Sequence, residues 1–313
     1  MYSIGVDVGG TVIKAGVVDD QGKIIAFNSV KTNHNVESYI NSIIKLIDSV
    51  IEKAKITLNQ VKGIGFGFPG MVSNEKGKVD YLPNVKGFEN VDFVKRIKQR
   101  FNVEIRISND ANVATLAEVK YGSAKGVQNA IMLTLGTGVG GGIIIDGKLY
   151  EGQDSKGAEL GHTTLILGGK QCGCGRKGCL ETYVSTKALV EMAKESMQKD
   201  KDCVLWQLVE GDINALNGIL FFKGLELGDK TVKSVFDLYI EYLSEGILNF
   251  CNIFRPEVII LGGGISAQGK VLTDRIEEYC KNRNYGIQGA PQVKIVCAVL
   301  GNKAGVIGAS ALI

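Results

Sequence analysis

Ile4-Gly5-Val6-Asp7-Val8-Gly9-Gly10-Thr11-Val12-Ile13-Lys14-Ala15-Gly16-Val17-Val18 reads as two apolar runs folded back on a glycine turn. β-Branched residues dominate both runs, and Gly9-Gly10-Thr11 separates them, which is the punctuation of paired strands. The first run reaches back to Tyr2, and a third, Lys23–Val30, follows the turn signal Asp19-Asp20-Gln21-Gly22. The same order returns in mid-chain. Ala130–Leu135 reads as a strand, Gly136–Gly142 as a glycine turn and Ile143–Ile145 as a strand, then Asp146-Gly147 turns into Lys148–Tyr150. A unit repeated in order with little residue identity indicates a duplicated fold.

Helical patterns fill the space around these units. Val36, Tyr39, Ile40, Ile43, Ile44, Ile47, Val50 and Ile51 predict an amphipathic helix over 36–55. Val61–Phe68 is a buried strand ending at Pro69-Gly70; 91–101 and 111–121 read as helical and 103–107 as extended. After the second unit, helices are expected over 182–199, 205–220 and 232–254, the last stopped by Arg255-Pro256. Strand 258–261, Gly262-Gly263-Gly264, helix 270–282, strand 293–299 and helix 303–312 follow. This alternation is α/β architecture. No Pro- or Ser-rich linker parts the two cycles, so two lobes around one cleft are expected, a common setting for ligands.

Composition narrows the function. The 313 residues are 45% hydrophobic and 22% charged with a net charge of +3, which excludes disorder and gives no electrostatic case for nucleic acid. The N-terminus lacks the basic-then-apolar pattern of a signal peptide, and the uncharged stretch 126–145 is broken by glycines, so no membrane span is read. There are 41 glycines without a triplet period and only four prolines, which points to close backbone approaches rather than linkers. Seven cysteines is an odd number that fits a reduced cytoplasm, where clustered cysteines mean metal more often than disulfide.

Three glycine turns follow strands, at Gly9–Thr11, Gly136–Gly142 and Gly262–Gly264. Concave runs of N–H groups at such turns bind anions, although each turn singly is an ordinary β-turn signal. Gly136-x-Gly138-x-x-Gly141 and Gly65-x-Gly67-x-x-Gly70 match the dinucleotide fingerprint, but neither opens a helix. Gly264-x-x-x-x-Gly269-Lys270 resembles a P-loop with Val271 where Ser or Thr is required. All three are rejected.

His162, Cys172, Cys174 and Cys179 offer one imidazole and three thiolates within a glycine-rich stretch, a tetrahedral zinc set with no position left for water. Spare thiols or a Cys172/Cys174 redox pair are the alternative. Asp110 stands at a strand-to-helix junction, Ser108-Asn109-Asp110-Ala111-Asn112. A helix N-terminus favours a carboxylate anion available as a base, but a helix cap uses the same residue types. Glu159 and Glu181 flank the cysteine block as hydroxyl acceptors or as plain surface carboxylates.

Asp7-Val-Gly9-Gly10-Thr11-x-x-Lys14, Pro83-Asn84, Asn109-Asp110-Ala111-Asn112, Leu135-Gly136-Thr137-Gly138-x-Gly140-Gly141-Gly142, Glu159-x-Gly161-His162 and Cys172-x-Cys174-Gly-x-x-Gly-Cys179-x-Glu181 together resemble the ROK family of sugar kinases and repressors. The motifs span nearly the whole chain in the family's order. The resemblance implies the actin-like ATPase (ribonuclease H-like) fold, with ATP and sugar meeting between two α/β lobes. The lobes are placed at 1–108, with 302–313 packing back on it, and at 109–301, which carries the zinc loop.

The resemblance also implies roles. Asp110 looks like the base that deprotonates the sugar hydroxyl. Gly70, Asn84, Asn109, Asp110, Glu159, His162 and Glu181 look like the sugar-binding set. Gly9, Gly10 and Thr11, with Thr137 and Gly138, look like the phosphate turns. Asp7 looks like the Mg²⁺ carboxylate, with Lys14 beside it, and Gly263 and Gly264 look like the adenosine-side turn. His162 would serve zinc with one ring nitrogen and sugar with the other. The implied activity is ATP-dependent phosphorylation of a hexose at the 6-hydroxyl, with glucose leading and N-acetylmannosamine, N-acetylglucosamine and fructose as alternatives. The implied enzyme is a cytoplasmic homodimer or homotetramer. Family repressors carry an added DNA-binding module; a strand beginning at Tyr2 leaves no room for one here, and an inactive sugar sensor is the non-enzyme alternative.

Overall fold

The structure, a computed structural model, describes residues 1–33, 35–82, 85, 88–281, 283, 285 and 292–313. His34 and the expected sugar ligand Asn84 lie outside the described residues. The first sheet comprises β1 (Tyr2–Val8), β2 (Val12–Val18), β3 (Ile24–Lys31), β4 (Val61–Phe68) and, after the small hairpin β5 (Met71–Ser73) and β6 (Lys78–Tyr81), β7 (Glu104–Asn109). Its order is β3-β2-β1-β4-β7. The first three strands form an antiparallel meander, and β4 and β7 join in parallel. The second sheet contains β8 (Ala130–Leu135), β9 (Val139–Ile145), β10 (Lys148–Tyr150), β11 (Val258–Gly262) and β12 (Lys294–Cys297), in the order β10-β9-β8-β11-β12. Numbered within itself, each sheet therefore runs 3-2-1-4-5. The duplication read from the glycine turns is a duplication of sheet topology.

Ten α-helices surround the sheets among the described residues: α1 (Val36–Ala54), α2 (Phe93–Lys98), α3 (Asp110–Tyr121), α4 (Glu181–Val184), α5 (Thr186–Lys199), α6 (Leu205–Leu208), α7 (Gly218–Glu226), α8 (Lys230–Phe254), α9 (Lys270–Cys280) and α10 (Ala304–Ser310). Helix α1 presents Tyr39, Ile40, Ile43, Leu46, Ile47 and Val50 to a core that also holds Ile4, Val6 and Val8 of β1. Adjacent strand residues point to opposite faces. The intervening Gly5 accordingly meets α10, which packs on β1, β2, β4 and α3. The approach is too close for a side chain. A Cβ on Gly5 would lie 1.8 Å from the Val306 carbonyl oxygen, and one on Gly65 1.8 Å from that of Ala309.

Two compact units emerge: Met1–Met132 with Gly142–Ala158 and Ala298–Ile313, and Leu133–Gly141 with Glu159–Cys297. This division differs from the lobe boundary expected at 108/109, in that α3 and the segments 122–132 and 142–158 group with the first unit. Helix α3 packs on α10, and residue order along the chain carries no trace of that contact. The helix expected over 205–220 is also corrected. Glu210 and Gly211 adopt positive φ, and the Gly211 N–H donates to the Trp206 carbonyl, a C-terminal stop. Asn217 then caps α7 by accepting from the Leu220 N–H. Likewise Ser185 divides the helix expected over 182–199, capping α5 through the Ala188 N–H.

Candidate active site and metal centre

In the first unit, Asp7 and Lys14 face each other across β1 and β2. The Lys14 ammonium donates to Asp7 Oδ2 at 3.1 Å. The other oxygen, Oδ1, has no hydrogen bond among the described residues, so an acceptor remains for a hard cation, which Mg²⁺ takes from one or two carboxylates plus phosphates and water. The connecting turn is closed by the Gly9 N–H on the Val12 carbonyl, and the Thr32 hydroxyl holds the Gly9 carbonyl. The N–H groups of Gly10 and Thr11 carry no hydrogen bond among the described residues, which is the arrangement a phosphate would use.

Asp110 is the first residue of α3 and is exposed. Capping falls to its neighbour: Asn109 Oδ1 accepts from the Ala111 N–H at 2.9 Å, and Asp110 Oδ1 leans on the same N–H at 2.8 Å. Asn109 Nδ2 donates to the Phe68 and Gly70 carbonyls at 3.5 and 3.3 Å. The structure thus brings Gly70, Asn109 and Asp110 together, and it occupies the Asn109 side chain with holding the end of β4 to the start of α3. Glu151, which no motif singled out, lies against this junction and accepts from the Ser108 hydroxyl. Burial pushes its carboxyl above the usual carboxylate range, against the opposing effects of Ser108 and Asn112.

In the second unit, the ligand atoms of His162, Cys172, Cys174 and Cys179 all lie within 4.8 Å of one another. Cys174 Sγ and Cys179 Sγ are 3.6 Å apart, and Cys172 Sγ is 3.6 Å from His162 Nδ1. A tetrahedral zinc with Zn–S of about 2.3 Å and Zn–N of about 2.1 Å sets edges of about 3.8 Å between sulfurs and about 3.6 Å between sulfur and nitrogen. The residues fit that ion. Burial pushes the Cys172 thiol up to about 12, whereas the Arg176 backbone N–H holds Cys174 below its ordinary value. The Nδ1 edge of His162 faces the thiols, which leaves Nε2 on the far side of the ring.

Glu181 stands between this cluster and the second glycine turn. Its Oε1 is 3.6 Å from Cys172 Sγ, and its Oε2 accepts from the Val139 N–H at 3.0 Å. The turn is closed by the Gly136 N–H on the Gly138 carbonyl, and the Thr137 N–H has no partner among the described residues. Thr137 and Glu181 also line a pocket of about 180 Å³ with Lys170 and Lys187. Glu159 is exposed, and its carbonyl accepts from the His162 N–H. Gly263 adopts φ 83°, and Gly264 lines a cavity of about 590 Å³ with Thr186, Asn217, Phe222, Lys223 and Glu226. Phe222, Lys223 and Glu226 of α7 lie beyond the helix expected over 205–220 and belong to no motif, so nothing in the sequence singles them out.

A profile of the ROK family matches residues 3–313. The glucokinase of Streptomyces coelicolor is 34% identical over 312 residues, covering 99% of this chain and 96% of that protein. A ROK family glucokinase from Streptomyces griseus, solved with glucose and AMPPNP, superposes with a TM-score of 0.81 at 32% identity, over 100% of this chain and 99% of that one. A ROK hexokinase from Thermus thermophilus gives a TM-score of 0.82 at 28% identity, over 99% and 97%. With a profile match from end to end and a two-domain α/β fold of the actin-like ATPase superfamily, the chain belongs to the ROK family.

Proposed function

We propose that the chain is an ATP-dependent hexose kinase acting on the sugar 6-hydroxyl, with glucose as the leading substrate. The observation that carries this reading is the arrangement at the start of α3, where Asn109 does the capping and Asp110 presents an exposed carboxylate beside it. Kinases need alignment, charge neutralisation and a base for the nucleophile. The Asp110 carboxylate accepts the hydroxyl proton as the sugar oxygen bonds to the γ-phosphorus. The bond from that phosphorus to the β–γ bridging oxygen breaks, and ADP leaves with the electron pair. Gly10, Thr11 and Thr137 donate backbone N–H groups to phosphate oxygens. Mg²⁺, held by Asp7, would neutralise phosphate charge. The cavity beside Gly264 takes the adenosine. Zinc on His162, Cys172, Cys174 and Cys179 is structural, and it fixes His162 and, through Glu181, the Thr137 turn. A reduced cytoplasmic setting suits a centre built on three free thiols.

The test is ADP release across a panel of glucose, N-acetylmannosamine, N-acetylglucosamine and fructose. Sugar-dependent ADP with glucose leading is expected; preference for another hexose moves the substrate, and binding without ADP makes the chain a sensor. Asp110→Asn should lower kcat by about 10²- to 10⁴-fold while calorimetry finds glucose still bound, because general-base catalysis contributes on that scale. Near-normal turnover would remove Asp110 from its role.

A further inference from the structure

Glu151 follows the last strand of the second meander, yet its carboxylate belongs to the start of α3. It accepts from the Ser108 hydroxyl and lies against the Asn112 amide. Those residues bracket Asn109-Asp110, one at the end of β7 and the other in the first turn of α3. Both are nearly sealed from solvent, Ser108 at 0% and Asn112 at 3% exposure. Asn112 Oδ1 is buried with no hydrogen-bond partner among the described residues. A half-buried carboxylate in this position carries a desolvation cost that a fold requirement could avoid with an amide or an apolar residue.

We propose that Glu151 is a positioning residue for the base, clamping Ser108 and Asn112 so that the turn bearing Asp110 keeps one orientation. The assignment rests on Asp110 being the base. The clamp works through geometry, because the carboxylate reaches one residue on each side of the 109–110 pair. Misplacing a reacting group by about 1 Å can cost about 100-fold in rate. A loosened clamp therefore lowers kcat and spares sugar affinity.

The test is a double-mutant cycle between Glu151 and Asp110 in the full chain, read by ADP release and by glucose affinity. Glu151→Ala should lower kcat by roughly 10- to 100-fold with the glucose KM within about twofold. Ser108→Ala, which removes the clamp's other end without emptying the Glu151 site, should show the same split. Glu151→Gln keeps an acceptor for the Ser108 hydroxyl and should recover most of the rate. In an Asp110→Asn background, Glu151→Ala should have no further effect on residual turnover, since it acts through Asp110. Unchanged kcat in Glu151→Ala and Ser108→Ala overturns the inference, as does an equal loss in both backgrounds. Normal turnover in Asp110→Asn alone overturns the underlying assignment of the base instead.

Discussion

Glu118 offers the sharpest test of how unit 1 holds α3 in place. Its side chain is fully buried in the body of that helix. Oε2 accepts from the Ser123 N–H at 2.8 Å and the Ser123 hydroxyl at 3.1 Å. Oε1 accepts from the Val299 and Leu300 N–H groups at 2.9 and 2.8 Å. One carboxylate thus ties α3 to the loop that follows it and to the segment leading into α10. Glu118→Ala strands three backbone donors. A buried donor without a partner costs about 1–3 kcal/mol, and the low end applies because Val299 is exposed enough for water to enter. The expected loss is about 3 kcal/mol. Glu118→Gln keeps one oxygen for two donors but turns an NH₂ toward the others, so about half that loss is expected. At roughly 2–4 °C per kcal/mol for a domain of this class, alanine lowers Tm by about 6–12 °C and glutamine by about half as much. Thermal unfolding followed by circular dichroism measures the shift, and hydrogen exchange at the Val299 and Leu300 amides locates it. A Tm within about 2 °C of the parent, or unchanged exchange at those two amides, would refute the reasoning.

Two further outcomes follow from the site and the fold. Metal analysis of protein purified without chelator should find about one zinc per chain, and Cys179→Ser should lose it together with thermal stability; full stability with no metal would remove the cluster's structural role. Gly65→Ala should destabilise unit 1 by more than about 3 kcal/mol, since overpacking of the ordinary kind costs about 1–3 kcal/mol and here the added carbon meets backbone. Parent-like urea unfolding of that variant would show that α10 sits elsewhere.

The parts of this molecule legible in its sequence are those whose signal is local. The β1–β2 hairpin announces itself because Gly9-Gly10 interrupts two β-branched runs, and β4 matches its predicted span residue for residue. The clustering of His162 with Cys172, Cys174 and Cys179 is legible because the three cysteines are close in sequence and thiols so spaced have few other uses. What failed depends on distant partners or on turn chemistry inside an apolar pattern. The break at Glu210–Gly211 was overridden by the surrounding periodicity, and β9 begins within the glycine run, four residues before its predicted start at Ile143. Glu118 and Glu151 are lone carboxylates, and nothing near them in sequence says that one is sealed in a helix core or that the other reaches Ser108, 43 positions away. The grouping of α3 with the first unit is not legible for the same reason: it depends on contacts of α3 with α10, which follows much later in the chain.

The seat of α10 on Gly5 and Gly65 also bears on how the chain comes into being. Strands β1 and β4 are made long before the backbone that covers Gly5 and Gly65, which arrives only with Val306 and Ala309. Until then the first sheet can close its α1 side but not the other. Loop closure over so long a separation is entropically slow, and partly covered sheets are exposed to aggregation. The nascent chain must therefore hold an unfinished sheet from β4 until α10 is made. The helix that completes unit 1 thereby links its folding to the arrival of Val306 and Ala309, so that a chain cut short near residue 300 would be left with an open, apolar face for quality control to find.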